Sequence, residues 1–113
     1  MKIKQEYIVN LKGKNFITFA GLLSMAHENG LTSLTSTPVF EDHEKGIYIF
    51  RATAVGVRGD QIIKFEDEGD AMPYNVGKMI KPHIRRMAST RAMARTLRLF
   101  NGVGMCSVEE IIR

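Results

Sequence analysis

Three arginines, Arg91, Arg95 and Arg98, stand four and three residues apart, the spacing that sets side chains above one another along a single stripe of an α-helix. A guanidinium is permanently charged and presents a planar fork of donors that matches a phosphate, so such a row suits a phosphodiester backbone. The stretch 78–98 contains no Asp or Glu and also holds Lys78, Lys81, Arg85 and Arg86. The row therefore has no carboxylate three or four residues away to relieve its repulsion, and a phosphate chain is a natural counter-ion. On a helical wheel the stripe overlaps the side used by Ile80, Ile84 and Met87, so the arginines continue a face that begins apolar. Two readings of the row stand: phosphate binding, or pairing with strand carboxylates such as Glu66 and Glu68 for packing alone. Lys78, Lys81, Arg85 and Arg86 are candidate backbone contacts that lack a diagnostic spacing. Among the aromatic residues, Tyr48 and Phe50 read as core, and Tyr74 is the freer candidate for stacking on a base.

Other chemistries find less support. The acidic run Glu66-Asp67-Glu68-Gly69-Asp70 could serve a metal-dependent nuclease only if its carboxylates converged on an ion. Successive strand residues point to opposite faces and the glycine suggests a turn, so at most two would converge. His27, His43 and His83 show no ligand spacing, and the single Cys106 offers them no partner, so no metal site is expected. No phosphate-binding loop of the Gly-x-x-x-x-Gly-Lys type and no hydrolytic triad is present, and no cofactor is expected.

The elements that must position these residues follow from patterning. Tyr7–Leu11 and Asn15–Ile17 flank Lys12-Gly13-Lys14 as a short hairpin. Leu22, Leu23, Met25 and Ala26 mark a helix over Phe19–Glu28, stopped by Asn29-Gly30. Leu31–Phe40, Ile47–Val57 and Gln61–Phe65 read as three antiparallel strands joined by short turns, the middle one alternating so that Tyr48, Phe50, Ala52 and Ala54 share one face. Pro73 can open a second helix reaching about Phe100, with a kink or a junction near Ile80–Pro82 and a stop at Asn101-Gly102. Ser107 to Ile112 carries a Ser-x-x-Glu capping signature and could begin a final turn. The expected class is α+β: a helix, a three-stranded antiparallel sheet with a short N-terminal hairpin, and a long basic helix packed on the sheet.

At 113 residues and 44% hydrophobic content, the chain is the size of one domain with one ordinary core. Sixteen basic against twelve acidic side chains give a net charge of +4 and a pI near 9.4, which suits a polyanionic partner. One cysteine precludes an internal disulfide and is read as a buried thiol. The charged amino terminus, Met1 to Glu6, lacks the apolar run of a signal peptide, and no stretch approaches the roughly 18 apolar residues of a membrane span. A soluble, cytoplasmic protein is expected.

The run Ala88-Ser89-Thr90-Arg91-Ala92-Met93-Ala94-Arg95-Thr96-Leu97-Arg98-Leu99-Phe100 resembles the Ala-x-Thr-x-Ala-x-x-Arg-x-Leu-Arg-x-Phe stretch of the Rad fifty-two single-strand annealing superfamily, whose relatives include the phage Erf and bacterial DdrA proteins. The order of elements over residues 15–105 is similar, and Gly69-Asp70-Ala71 falls where that family places a glycine-containing turn. The resemblance implies a β-β-β-α core assembled into a homo-oligomeric ring or filament, with single-stranded DNA, or RNA, in a basic groove and complementary strands annealed without ATP in recombination or repair. It implies a nucleoid-associated or phage-encoded setting. Arg95 and Arg98 would hold the backbone. The family commonly has a lysine where this chain has Ala94 and an acidic residue where it has Arg91, so Arg91, Arg85 and Arg86 would compensate. Four to six neutralised phosphates per subunit imply a log–log salt slope of about −3 to −4. Two other classes stay open: a protein-interaction module with a basic docking helix, and the nuclease.

Overall fold

Lys12 and Gly13 both take positive φ, 52° and 82°, the backbone of a type I′ turn, and so close a hairpin between β1 (Ile8–Leu11) and β2 (Lys14–Ile17). Asn10 locks the turn by accepting from the Gly13 N–H and donating to Asn15. These features come from a computed structural model that describes residues 3–111. Met1, Lys2, Ile112 and Arg113 lie outside the described residues, so the start of the charged amino terminus and the end of the expected final turn do as well.

The Thr18 hydroxyl accepts from the Gly21 N–H at 3.0 Å, the capping contact that starts α1 (Phe19–Glu28). Beyond Asn29-Gly30 come β3 (Leu31–Asp42), β4 (Ile47–Arg58) and β5 (Gln61–Ala71), an antiparallel sheet in the order β3-β4-β5. Along β4 the residues Tyr48, Phe50, Ala52 and Ala54 are all buried, and the long helix α2 (Ile84–Asn101) covers that face. The fold is therefore α+β, with a β-β-β-α core. Alanines on both sides let helix and sheet approach closely, and Thr96 Oγ1 bridges them by donating to the Ala52 or the Ala92 carbonyl. Two apolar clusters lie beneath α2. One joins α1 and the hairpin to its C-terminal half through Ile17, Leu22, Leu97 and Phe100. The other sits under its N-terminal half around Tyr48, Phe50, Ala88 and Ala92.

Two expectations are corrected here. The acidic run is strand rather than turn, because β5 pairs with β4 out to Tyr48↔Ala71. Gly69 faces the helix: a Cβ there would stand 2.2 Å from the Ala92 nitrogen, so the glycine serves close approach, not reversal. The long helix also begins at Ile84 and not at Pro73. Pro73–Asn75 is a separate 3-10 turn, closed by Asn75 Oδ1 accepting from the Met72 N–H at 2.8 Å, and Lys81–His83 is a 3-10 turn that runs directly into α2. Pro82 sits in the second, where a missing donor costs little. At the far end the Ser107 N–H donates to Glu110 Oε2 at 2.8 Å, which is half of the expected capping box, and α3 (Val108–Ile111) follows. Among the described residues no helix is long and apolar enough to cross a membrane.

Candidate nucleic-acid interface

The arginine row does form one stripe, but that stripe runs along the β5 edge of the sheet rather than into solvent. Ala88, Arg91 and Ala92 are buried together, with Arg91 only 4% exposed. Its Nη1 donates to the Asp70 carbonyl at 2.9 Å and to Asn75 Oδ1 at 3.0 Å, and its Nη2 donates to the Asn75 carbonyl at 3.0 Å. Arg91 thus ties the 70–75 connection to the helix. That is the physical outcome of a stripe that begins apolar: the first arginine on it is drawn into the core, where carbonyls must satisfy its fork.

Arg95 and Arg98 are half-buried and partnered within the chain. Arg95 donates to the Glu68 carbonyl at 3.0 Å and lies 3.7 Å from Asp70 Oδ1 and 3.5 Å from Glu110 Oε1. Arg98 donates to Glu110 Oε1 at 2.8 Å and to the Gly104 carbonyl at 3.0 Å. Burial opposes ionisation of Glu110, yet the Ser107 donors and Arg98 outweigh it and hold its carboxyl below the ordinary value. Beside it, burial dominates at Glu109, whose carboxyl is pushed up while its Oε1 accepts from the Phe19 N–H at 2.7 Å. Cys106 is half-buried rather than buried, its thiol raised by burial and by Glu110. A cleft of about 260 Å³ and another of about 340 Å³ flank Arg95, lined by Asp67, Glu68, Asp70 and Glu110 among others. Carboxylates on this side make it a poor seat for a polyanion.

The other end of α2 differs. Lys78, Lys81, Arg85 and Arg86 are all exposed. No side chain caps the helix at His83 and its first turn has no acidic residue, so Arg85 and Arg86 add their charge to the positive end of the helix dipole. An open groove of about 590 Å³ lies between this first turn and the sheet, lined by Ser36 and Pro38 of β3, Tyr48 and Phe50 of β4, and Pro82, His83, Arg85, Arg86 and Ser89. The Arg85 guanidinium carbon sits 5.0 Å from the Phe50 ring centroid, a cation–π contact that orients the fork. Ser36 and Ser89 hydroxyls meet across the groove at 2.7 Å. The only carboxylate bonded to these cations among the described residues is Glu41, which accepts from Arg85 Nε at 2.5 Å.

The seven basic positions therefore separate into two sets. The structure brings Arg85 and Arg86 together in the groove and leaves Lys78 and Lys81 exposed on the segment leading to it. Arg91, Arg95 and Arg98 are engaged along β5. Sequence reasoning missed Ser36, Ser89, His83 and Glu41, because lining by a strand 44 residues before Arg85 has no local signature. It also missed Asn75 and Glu110 as arginine partners. Glu68 and Glu66 pair elsewhere, with Arg51 at 2.7 Å and with Thr53 and Lys64. Glu66 is lowered by the Thr53 hydroxyl and by Lys64. Tyr74 is 80% exposed, whereas Tyr48 and Phe50 are only 7% and 4% exposed. Among the described residues no three His, Cys, Asp or Glu side chains cluster so as to hold a metal ion. No protein-family model matches the chain, and neither does any curated protein.

Proposed function

We propose that the chain binds single-stranded nucleic acid through its phosphate backbone at the amino-terminal end of α2, as a binding and strand-annealing protein and not as an enzyme. The observation that carries this reading is the groove at Arg85 and Arg86. It combines two guanidinium forks, the one hydroxyl donor that the Ser36–Ser89 pair leaves over and the positive end of an 18-residue helix, all of which favour phosphate oxygens over base edges. Exposed Lys78 and Lys81 extend the basic track, and Tyr74, exposed in the same segment, is a candidate to stack on a base. The β-β-β-α core is the one that the resemblance to the Rad fifty-two superfamily implies, which supports annealing of complementary strands by side-by-side copies without ATP. The basic helix is a weaker candidate for docking on an acidic protein, since only its first turn presents exposed arginines.

On this reading four cations meet phosphates, Lys78, Lys81, Arg86 and, once Glu41 gives way, Arg85. Titration of a fluorescent oligothymidine at several salt concentrations should give a log–log slope of about −3, at roughly 0.7 per phosphate contact. Mixed-sequence strands should bind with the same slope, and two complementary strands should anneal faster with the protein than without. Binding that is insensitive to salt, or selective for one sequence, would contradict the backbone reading.

A further inference from the structure

Between Pro38 and Phe40 the pairing of β3 with β4 slips by one residue. Pro38 stands opposite Phe50, Phe40 opposite Ile49 and Glu41 opposite Tyr48. In regular pairing Phe40 would face Tyr48. The extra residue exchanges the faces of the positions after it, placing the Glu41 side chain on the helix-facing side with Tyr48 and turning Phe40, 47% exposed, away. The bulge thus delivers a carboxylate to the edge of a groove whose own lining contains none. That carboxylate accepts from Arg85 Nε, the same donor edge a phosphate would use, while Phe50 holds the guanidinium in place from below. Its second oxygen lies 3.9 Å from His43 Nε2, and His43 is fixed in turn by Nδ1 at 2.8 Å from the Tyr48 hydroxyl.

We infer that Glu41 is a built-in competitor for the phosphate seat at Arg85, an inference that rests on the phosphate-binding reading of the groove. In the free protein it neutralises Arg85 and keeps its fork oriented. On binding, a phosphate oxygen replaces the carboxylate, and Glu41 swings into solvent, where it gathers a cation. Glu41 therefore lowers affinity for any phosphate chain and makes each encounter easier to reverse. A strand-annealing protein benefits from that, since strands held too tightly cannot be released once paired. It also flattens the salt dependence, because the cation taken up by Glu41 partly cancels one released from the strand.

The test is fluorescence anisotropy with oligothymidine across a salt series, using wild type, Glu41→Gln, Glu41→Ala, Arg85→Ala, Glu41→Gln/Arg85→Ala and, as a control for general charge, Glu44→Gln. Circular dichroism checks that each is folded. Either Glu41 variant should bind about two- to five-fold more tightly at low salt, the range expected when a partly exposed ion pair is no longer displaced. Its slope should steepen by part of the roughly 0.7 that one contact contributes. Glu44→Gln should change affinity less, and Glu41→Gln should add nothing once Arg85 is gone. If Arg85→Ala weakens binding but both Glu41 variants bind no more tightly than wild type, the competitor role is overturned and the groove stands. Equal tightening by Glu41→Gln with and without Arg85 overturns it too. If Arg85→Ala binds like wild type, both the competitor and the groove reading fall.

Discussion

The two ends of α2 carry similar numbers of arginines and use them in opposite ways. At the C-terminal half, Arg91, Arg95 and Arg98 turn toward the edge of β5 and the α3 tail, where carbonyls and the carboxylates of Asp70 and Glu110 engage them. At the N-terminal end, Arg85 and Arg86 face an open groove whose only carboxylate contact among the described residues is Glu41. A free sheet edge explains the contrast. β5 lies at the edge of the sheet, and outward-facing carbonyls of such a strand are a template for unwanted pairing unless something occupies them. Arg91 and Arg95 donate to the Asp70 and Glu68 carbonyls, and Asp67 Oδ1 accepts from the Glu68 N–H at 2.7 Å, so side chains close that stretch of the edge. Positive charge on a helix is thus not by itself a binding surface: what decides is whether the neighbouring backbone has already engaged it.

Arg91 sharpens the comparison most. Removing a buried guanidinium that donates to the Asp70, Asn75 and Glu109 carbonyls and to Asn75 Oδ1 strips these carbonyls of that partner, and Arg91→Ala should cost about 3 kcal/mol or more in urea unfolding. Arg91→Lys should rescue little, because one ammonium nitrogen cannot occupy the three positions from which Nε, Nη1 and Nη2 donate. An Arg91→Ala protein as stable as wild type would break the account of the C-terminal half.

A smaller effect is expected at Glu110, whose carboxylate side chain is 7% exposed and meets both Arg95 and Arg98. Glu110→Gln should lose about 1–2 kcal/mol. Because the Glu110 carboxyl lies below its ordinary value of 4.5, the stability it contributes is complete above that pH and fades as the pH falls through its own lower value. Its neighbour Glu109 is raised, so its contribution is complete below 4.5 and fades as the pH rises through its higher value. The wild type should therefore show a Glu110-dependent acid limb in its stability, and Glu110→Gln should flatten it. Equal acid limbs in the two proteins would place the titration elsewhere.

The regular parts of this fold were legible in the chain because they depend on local pattern. Alternation along Ile47–Val57 found the face that α2 covers, the Lys12-Gly13 turn found the hairpin, and helical spacing with the Asn29-Gly30 stop found Phe19–Glu28. Gly69 misled, since a glycine that permits close approach reads the same as one that permits a turn. Pro73 misled for a similar reason, as it can open either a helix or a single 3-10 turn, and only the Asn75 side chain decides which. The arginine spacing predicted a stripe correctly but not its surroundings. Glu110 reaches Arg98 across a chain reversal, and Glu41 reaches Arg85 through a bulge and 44 intervening positions. Neither distance is encoded by spacing.

The most direct test of the two-ended helix compares Arg85→Ala/Arg86→Ala with Arg95→Ala/Arg98→Ala, measuring urea unfolding and oligothymidine affinity on the same samples. The groove variant should keep its stability to within about 0.5 kcal/mol, as surface substitutions do, and lose tenfold or more in affinity at moderate salt, with a slope shallower by between about 0.7 and 1.4, since Glu41 offsets part of the Arg85 contact. The edge variant should unfold more easily and, wherever it remains folded, bind with nearly the wild-type slope. The reverse result, with affinity lost only in the folded edge variant and retained in the groove variant, would contradict the account and return the phosphate-binding surface to the C-terminal half of α2.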